Sequence, residues 1–141
     1  MKKSVLKKLS NLALSLVVVF CAAAMLPSKA SATVYRTGTS SYASATVSGY
    51  TMGASATRGS NFGTATTTFG TTAGLTAHVR VDYNIPQGGL SASYFTEKKA
   101  IDSGTTVTAI AYCPSYAIAT TTYGGHDLSY MTSPRHLETQ A

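Results

Sequence analysis

The clearest pattern in the chain is a strict alternation of apolar and polar residues over residues 75–83. Apolar side chains occupy every second position, and His78, Arg80 and Asp82 lie between them. A period of two residues is typical of a β-strand with one buried face and one solvated face. We therefore predict a strand here, with its apolar side chains in the core and these three polar side chains together on the outer face.

Fainter patterns of the same kind predict further strands on either side. They fall at residues 42–52, 63–69, 90–97, 105–112 and 116–123, where Thr, Tyr, Val and Ala are frequent. Pro and Gly mark a turn at residues 84–89, and Asp-Ser-Gly marks another within residues 98–104. Strands at about ten-residue spacing between such turns favour an antiparallel arrangement. The predicted fold is all-β: a single small antiparallel β-sandwich or barrel-like domain after an N-terminal signal helix.

The first 32 residues have a different character. Four lysines and no acidic residue precede residue 12, and an apolar run of about 15 residues follows, as in an export signal. The run is shorter than the roughly 20 residues that a membrane-spanning helix needs. Ala30 and Ala32 place small side chains where signal peptidase requires them. We predict a cleavable signal peptide at residues 1–32, contact with the membrane only during export, and a protein secreted to the extracellular space or the cell surface.

Removal of this signal changes the charge and the cysteine content. Five of the eleven Lys and Arg residues lie in the signal, so residues 33–141 carry six cations against five acidic residues. Such a near-neutral domain lacks the clustered cations that nucleic-acid binding needs, so we expect no nucleic-acid partner. Cys113 is the one cysteine left, either as a buried free thiol or as a partner in an intermolecular disulfide. We expect one β-rich domain over residues 33–141, with flexible ends at residues 33–41 and 132–141.

No arrangement of residues in the sequence indicates catalysis. A serine on a glycine-flanked elbow is absent, and no histidine lies near Cys113 in the sequence. His126, Asp127 and His136 form a loose set of candidate metal ligands, without the closely spaced pair that zinc sites usually contain. We therefore predict a protein that is not an enzyme and that uses neither a metal nor another cofactor.

Tyrosine is the remaining candidate for binding chemistry, because all nine tyrosines follow residue 32. Tyr42, Tyr50 and Met52 share one parity of the strand predicted at residues 42–52. They either form an outer face, where tyrosine rings would stack on sugars or contact proteins, or belong to the core. The candidate surface-binding residues are Tyr42, Tyr50, His78, Arg80 and Asp82.

These observations rank three functions. The first is a small non-enzymatic β-domain that serves as a binding or structural module outside the cell or on its surface, with a cell-wall polymer, a glycan or another protein as partner. The second is a secreted toxin, since an export signal followed by a short β-rich domain is similar to secreted bacteriocins of the lactococcin type. The third is a secreted hydrolase. The weakly charged segments 63–69 and 116–123 also favour self-association through edge strands.

Overall fold

The structure is a computed structural model that describes residues 33–87 and 90–141, so the predicted signal peptide, with Ala30 and Ala32, lies outside the described residues. Its seven strands are β1 (Thr33–Thr37), β2 (Ser40–Val47), β3 (Tyr50–Arg58), β4 (Phe62–Gln87), β5 (Leu90–Tyr112), β6 (Ile118–Ser129) and β7 (Arg135–Gln140). The described residues contain no helix, and thus none that could span a membrane. The all-β prediction is confirmed.

Two long strands, β4 and β5, organise the sheet. β4 pairs with β5 along almost its whole length, while its other edge pairs first with β3 and then with β6. The register between β4 and β5 shifts around Thr68 and Ala73, an irregularity that lets both strands bend. The sheet therefore folds over into two layers. Layer one contains β1, β2, β3 and residues 62–68 and 106–112, and layer two contains residues 73–87 and 90–104 with β6 and β7.

The antiparallel sheet is nearly closed and barrel-like, because a backbone and a side-chain hydrogen bond join the two layers where β3 turns into β4. Between the layers, the N–H of Ala119 donates to the carbonyl of Ser60 at 2.9 Å. Beside it, the N–H of Cys113 donates to the carbonyl of Asn61 at 2.8 Å and continues the β4–β5 pairing within layer one. Arg58 adds a side-chain hydrogen bond from its Nη1 to the carbonyl of Thr120. These bonds satisfy backbone polar groups that would otherwise be unpaired where the two layers meet.

Small apolar side chains fill the space between the layers. The strand predicted at residues 75–83 is confirmed within β4, with Leu75, Ala77, Val79 and Val81 fully buried. The layers approach closely where side chains are smallest: a Cβ at Gly63 would lie 2.5 Å from Cγ2 of Val81. Alternating burial thus places every second residue of β4, including the polar row, on the outer face.

An aromatic cluster fills the bend between the layers. The rings of Phe69 and Tyr130 are 5.1 Å apart between centroids, and Tyr50 packs against both at 5.7 and 6.0 Å. Tilted and edge-on ring contacts of this kind stabilise a fold beyond the area that they bury. The cluster therefore packs the start of β3, the bend of β4 and the end of β6 against one another.

The strand predicted at residues 42–52 is wrong, because this segment is the β2–β3 hairpin. Ser48 and Gly49 both have positive φ, at 50° and 82°, as a two-residue hairpin turn with the mirror-image geometry requires. Reversal at this turn also separates the side chains that a single strand would align. Tyr42 is exposed, whereas Met52 is fully buried.

The turn predicted at residues 98–104 is also wrong, since β5 continues through it and pairs with β4 at every residue from 90 to 104. β4 likewise joins the strands predicted at residues 63–69 and 75–83 and continues to Gln87, which shortens the turn predicted at residues 84–89. The strand predicted at residues 116–123 is found from Ile118 onward, and it continues to Ser129 as β6. The segments 33–41 and 132–141, predicted to be flexible ends, contain β1 and β7.

Candidate functional site

The outer face of layer two gathers the polar row of β4 and its neighbours on three other strands. Strand register places His78 beside Gly125 of β6, and Arg80 between Tyr123 of β6 and Glu97 of β5. β7 extends the face beyond β6. The result is an open groove of about 620 Å³. Its principal lining residues are His78, Arg80, Tyr123, Gly125, His136 and Glu138.

The floor of the groove is Gly125, which lies between His78 of β4 and Glu138 of β7. Because glycine has no side chain, a gap remains between the taller side chains on either side. A Cβ at this position would lie 3.7 Å from the Cβ of His78, an ordinary contact distance. The depth of the groove therefore depends on this glycine, whereas the packing of the fold does not.

One wall of the groove carries an oriented guanidinium. Arg80 Nε donates to Oδ1 of Asp82 at 2.8 Å, and its guanidinium carbon lies 4.3 Å from the centre of the Phe95 ring. The hydrogen bond to Asp82 raises the pKa of Arg80, so the group stays charged. An ion pair and a ring contact together limit the rotation of a long side chain. Arg80 thus presents its remaining N–H groups in a nearly fixed direction.

The opposite wall carries an imidazole between two carboxylates. Nδ1 of His136 lies 2.6 Å from Oδ1 of Asp127, and Nε2 lies 3.4 Å from Oε1 of Glu138. The hydrogen bond to Asp127 and then that to Glu138 raise the pKa of His136, which favours the imidazolium. When charged, the ring donates from both nitrogens, and each carboxylate keeps lone pairs for a ligand.

His126 lies on the inner face directly beneath the groove and joins the two layers. The hydroxyl of Thr67 donates to the carbonyl of Thr76 at 2.8 Å, so it accepts a hydrogen bond from Nδ1 of His126 at 2.9 Å. Nε2 is then free to accept from the hydroxyl of Thr139 at 2.8 Å. Burial lowers the pKa of His126 to about 4, which keeps the ring neutral at physiological pH.

The loose set of candidate metal ligands is divided between the two faces of the sheet. Register pairs Asp127 with His136 on the outer face, while the adjacent His126 points inward and is fully buried. Among the described residues, no three His, Cys, Asp or Glu side chains are grouped as metal ligands would be. A metal site on this set therefore has no support from the geometry.

The structure brings together three of the five candidate surface-binding residues, namely His78, Arg80 and Asp82. Tyr42 lies apart, on the outer face of layer one, where 48% of it is exposed. Tyr50 is also partly exposed, but its ring packs in the aromatic cluster at the bend. The tyrosine of the groove is Tyr123, whose position on the same face as Arg80 follows from the β4–β6 register and not from any local motif.

Layer one presents a contrasting outer face. Its exposed and half-buried positions are mostly hydroxyl side chains, and one cross-strand pair, Thr66 and Thr108, is hydrogen-bonded between hydroxyl oxygens at 2.9 Å. Charged side chains are absent from this face in β2, β3 and residues 62–68 and 106–112. The hydroxyl residues of this face include Ser44, Ser55, Thr57, Thr64, Thr66, Thr68, Thr106 and Thr108. Charged side chains are thus concentrated on layer two, whereas the outer face of layer one also carries exposed aromatic rings, such as those of Tyr42 and Tyr112.

Cys113 directly follows the last residue of β5 and is a free thiol. Only 6% of the residue is exposed, and burial raises the pKa of the thiol. Both effects disfavour the reactive thiolate. The environment of Cys113 therefore fits a small core residue better than a partner in an intermolecular disulfide.

Comparison with known proteins identifies no relative. The chain matches no family model, no curated protein and no solved structure. Its function therefore has to be inferred from the groove and the surrounding sheet.

Proposed function

We propose that the chain is a secreted, non-enzymatic binding module that takes a neutral, hydroxyl-rich ligand, a glycan of the cell surface or cell wall, in the groove of layer two. The observation that carries the proposal is the combination of an open glycine floor, an exposed Tyr123 ring and planar polar side chains held in place by ion pairs. Sugar rings offer apolar C–H faces and hydroxyl edges, which such a surface matches.

The pairing of the charged side chains favours a neutral ligand. Arg80 is paired with Asp82, and His136 is paired with Asp127 and Glu138. A phosphate or sulfate ligand would need unpaired cations at the groove, and an extended cationic partner would need unpaired acids. Hydroxyl groups donate and accept, so they can use the remaining N–H groups of Arg80 and the remaining lone pairs of the carboxylates together.

The setting of the carboxylates supports binding rather than hydrolysis. A glycosidase needs one carboxylic acid that stays protonated, usually in an apolar pocket, beside a second carboxylate. At and beside the groove, half-buried Asp82 contacts Arg80, while Asp127 and Glu138 contact His136 at exposed positions. Each of these acids thus has a cationic side chain as its partner. This is the environment of a hydrogen-bond acceptor for a ligand.

The proposal is tested by binding of the purified protein to isolated cell-wall polysaccharides and to a glycan array. Tyr123→Ala removes the exposed ring and should weaken binding about tenfold. Gly125→Val fills the floor with a side chain that suits a strand, and should weaken binding at least as much. Tyr42→Ala is the matched control, because it removes an exposed ring from layer one.

Equal binding by the wild type and all three variants, or no binding to any polysaccharide, would overturn the proposal. Two further readouts separate the alternatives. Growth inhibition of related strains by the purified protein would favour the bacteriocin-like toxin, and release of reducing ends from a polysaccharide would favour the hydrolase.

A further inference from the structure

β5 has a long edge without a partner in the part of the chain that the structure describes. This strand of 23 residues pairs with β4 on one side only. β1 and β7 also end the sheet, but they contain only 5 and 6 residues. An unpaired edge exposes a row of backbone N–H and C=O groups that can pair with another strand. β5 is therefore the main edge through which a second chain could extend this sheet.

The segments at which the sequence favoured edge pairing are in other positions. Residues 63–69 lie between β3 and β5, so both of their edges are occupied over most of their length. β6 pairs with β4 on one side and, from Tyr123 onward, with β7 on the other. The part of β6 before Tyr123 has no β7 partner but is short, so β5 offers a much longer free edge for association than either of these segments.

We propose that two copies of the chain associate through β5, as an antiparallel pair centred on Lys98, to form one sheet continuous across both molecules. In this register Glu97 of each copy lies opposite Lys99 of the other. Phe95 lies opposite Ile101 in the same way. Opposite charges and aromatic–aliphatic pairs across neighbouring strands are both stabilising.

The side chains of these pairs are available on one surface. Phe95 and Ile101 are 56% and 70% exposed, although both are large and apolar. Glu97 is about half exposed, with only a 3.8 Å contact to His78. The four residues share one parity of β5 and the outer face of layer two. Pairing would thus cover two exposed apolar side chains from each copy and neutralise two charges.

Neighbouring registers lack this complementarity. Centring the pair on Glu97 places Glu97 opposite itself and Phe95 opposite Lys99. Centring it on Lys99 places Lys99 opposite itself and Glu97 opposite Ile101. A shift by one residue sets outer-face side chains against inner-face side chains. Of these registers, only the one centred on Lys98 therefore gives every outer-face residue from 95 to 101 a favourable partner.

One unfavourable contact remains. At the symmetry axis, Lys98 of one copy lies opposite Lys98 of the other, on the face of the sheet that does not carry Phe95 and Glu97. Lysine side chains are long and flexible enough for the two ammonium groups to extend apart into solvent. This contact should nevertheless weaken the association. The wild-type dimer should therefore be weak, and removal of this charge should strengthen it.

Sedimentation and light scattering of the purified full chain, over a wide concentration range, measure the association. Glu97→Lys should weaken dimerisation about tenfold, because it creates two Lys–Lys pairs. The charge swap with both Glu97→Lys and Lys99→Glu should restore it. Lys98→Thr should strengthen it severalfold. Restoration by the swap depends on the register, since a general loss of stability would not be reversed by a second charge reversal.

Cysteine substitution tests the register independently. Opposed Cα atoms in an antiparallel pair lie about 4.5–5.5 Å apart, within the range that a disulfide spans. Lys98→Cys should therefore form a disulfide-linked dimer under mild oxidation. Thr96→Cys, on the same strand and face, should not, because Ala100 lies opposite it. Equal cross-linking of the two variants, or failure of the charge swap to restore association, would overturn the proposal.

Discussion

Replacement of His126 by glutamine is expected to remove much of the acid sensitivity of this fold. His126 is fully buried and neutral, and its pKa of about 4 lies well below the ordinary value of 6.5. Between these two values the unfolded chain binds a proton that the folded chain does not. Stability therefore rises with pH across this window: the contribution is fully present above pH 6.5 and is lost as the pH falls toward 4.

The size of the effect follows from the shift in pKa. A difference of about 2.5 units corresponds to about 3 kcal/mol, of which roughly 2.5 kcal/mol is lost by pH 4.5. Glutamine retains one donor and one acceptor for Thr67 and Thr139 but has no proton to gain in this range. The variant should therefore lose less stability than the wild type on acidification, even if it is less stable at neutral pH.

Urea unfolding followed by tyrosine fluorescence or circular dichroism, at pH values from 7.5 to 4.5, measures both proteins. His136→Asn is the control, because the pKa of exposed His136 is raised by its hydrogen bond to Asp127. Stability from that shift is fully present below pH 6.5 and is lost as the pH rises through the folded pKa, so His136→Asn should not reduce the acid loss. Equal acid losses in wild type and His126→Gln would refute the assignment of His126 as a buried neutral bridge.

Two further predictions concern the packing around the groove and the thiol. Gly124→Ala should destabilise the protein by about 2 kcal/mol or more in urea unfolding, because the new Cβ would lie 2.6 Å from Nε2 of His126. Gly125→Ala, one residue away on the open face, should change stability by less than about 0.5 kcal/mol, and equal effects of the two changes would contradict this packing. Cys113 should react with a thiol reagent only in denaturant, whereas rapid labelling of the native protein would show that it is accessible.

The strand at residues 75–83 could be predicted because every inward position is apolar, so the period of two residues is uninterrupted. The same period sets His78, Arg80 and Asp82 on one face. Their partners in the groove could not be predicted in this way. Tyr123 and Glu138 reach the groove through the register of β6 and β7, which is fixed by pairing between residues far apart in sequence.

Local sequence signals gave wrong predictions where pairing between strands far apart in the sequence opposed them. Asp102, Ser103 and Gly104 are typical turn residues, but β4 offers each of them a partner, so β5 runs straight through. The buried, inward position of His126 could not be predicted for a related reason. Polar Thr122 and His126 occupy inward positions of β6, and they break the apolar alternation that would have indicated a core face.

The shared strand β4 also determines how the molecule can come apart. One continuous backbone supplies hydrogen bonds to both layers, so melting β3 away would expose the same strand that supports β6. The contacts that close the layers, such as that between Ser60 and Ala119, join residues far apart in the chain. Loss of structure should therefore be all-or-none, without a half-folded intermediate, and refolding should be slow for a protein of this size.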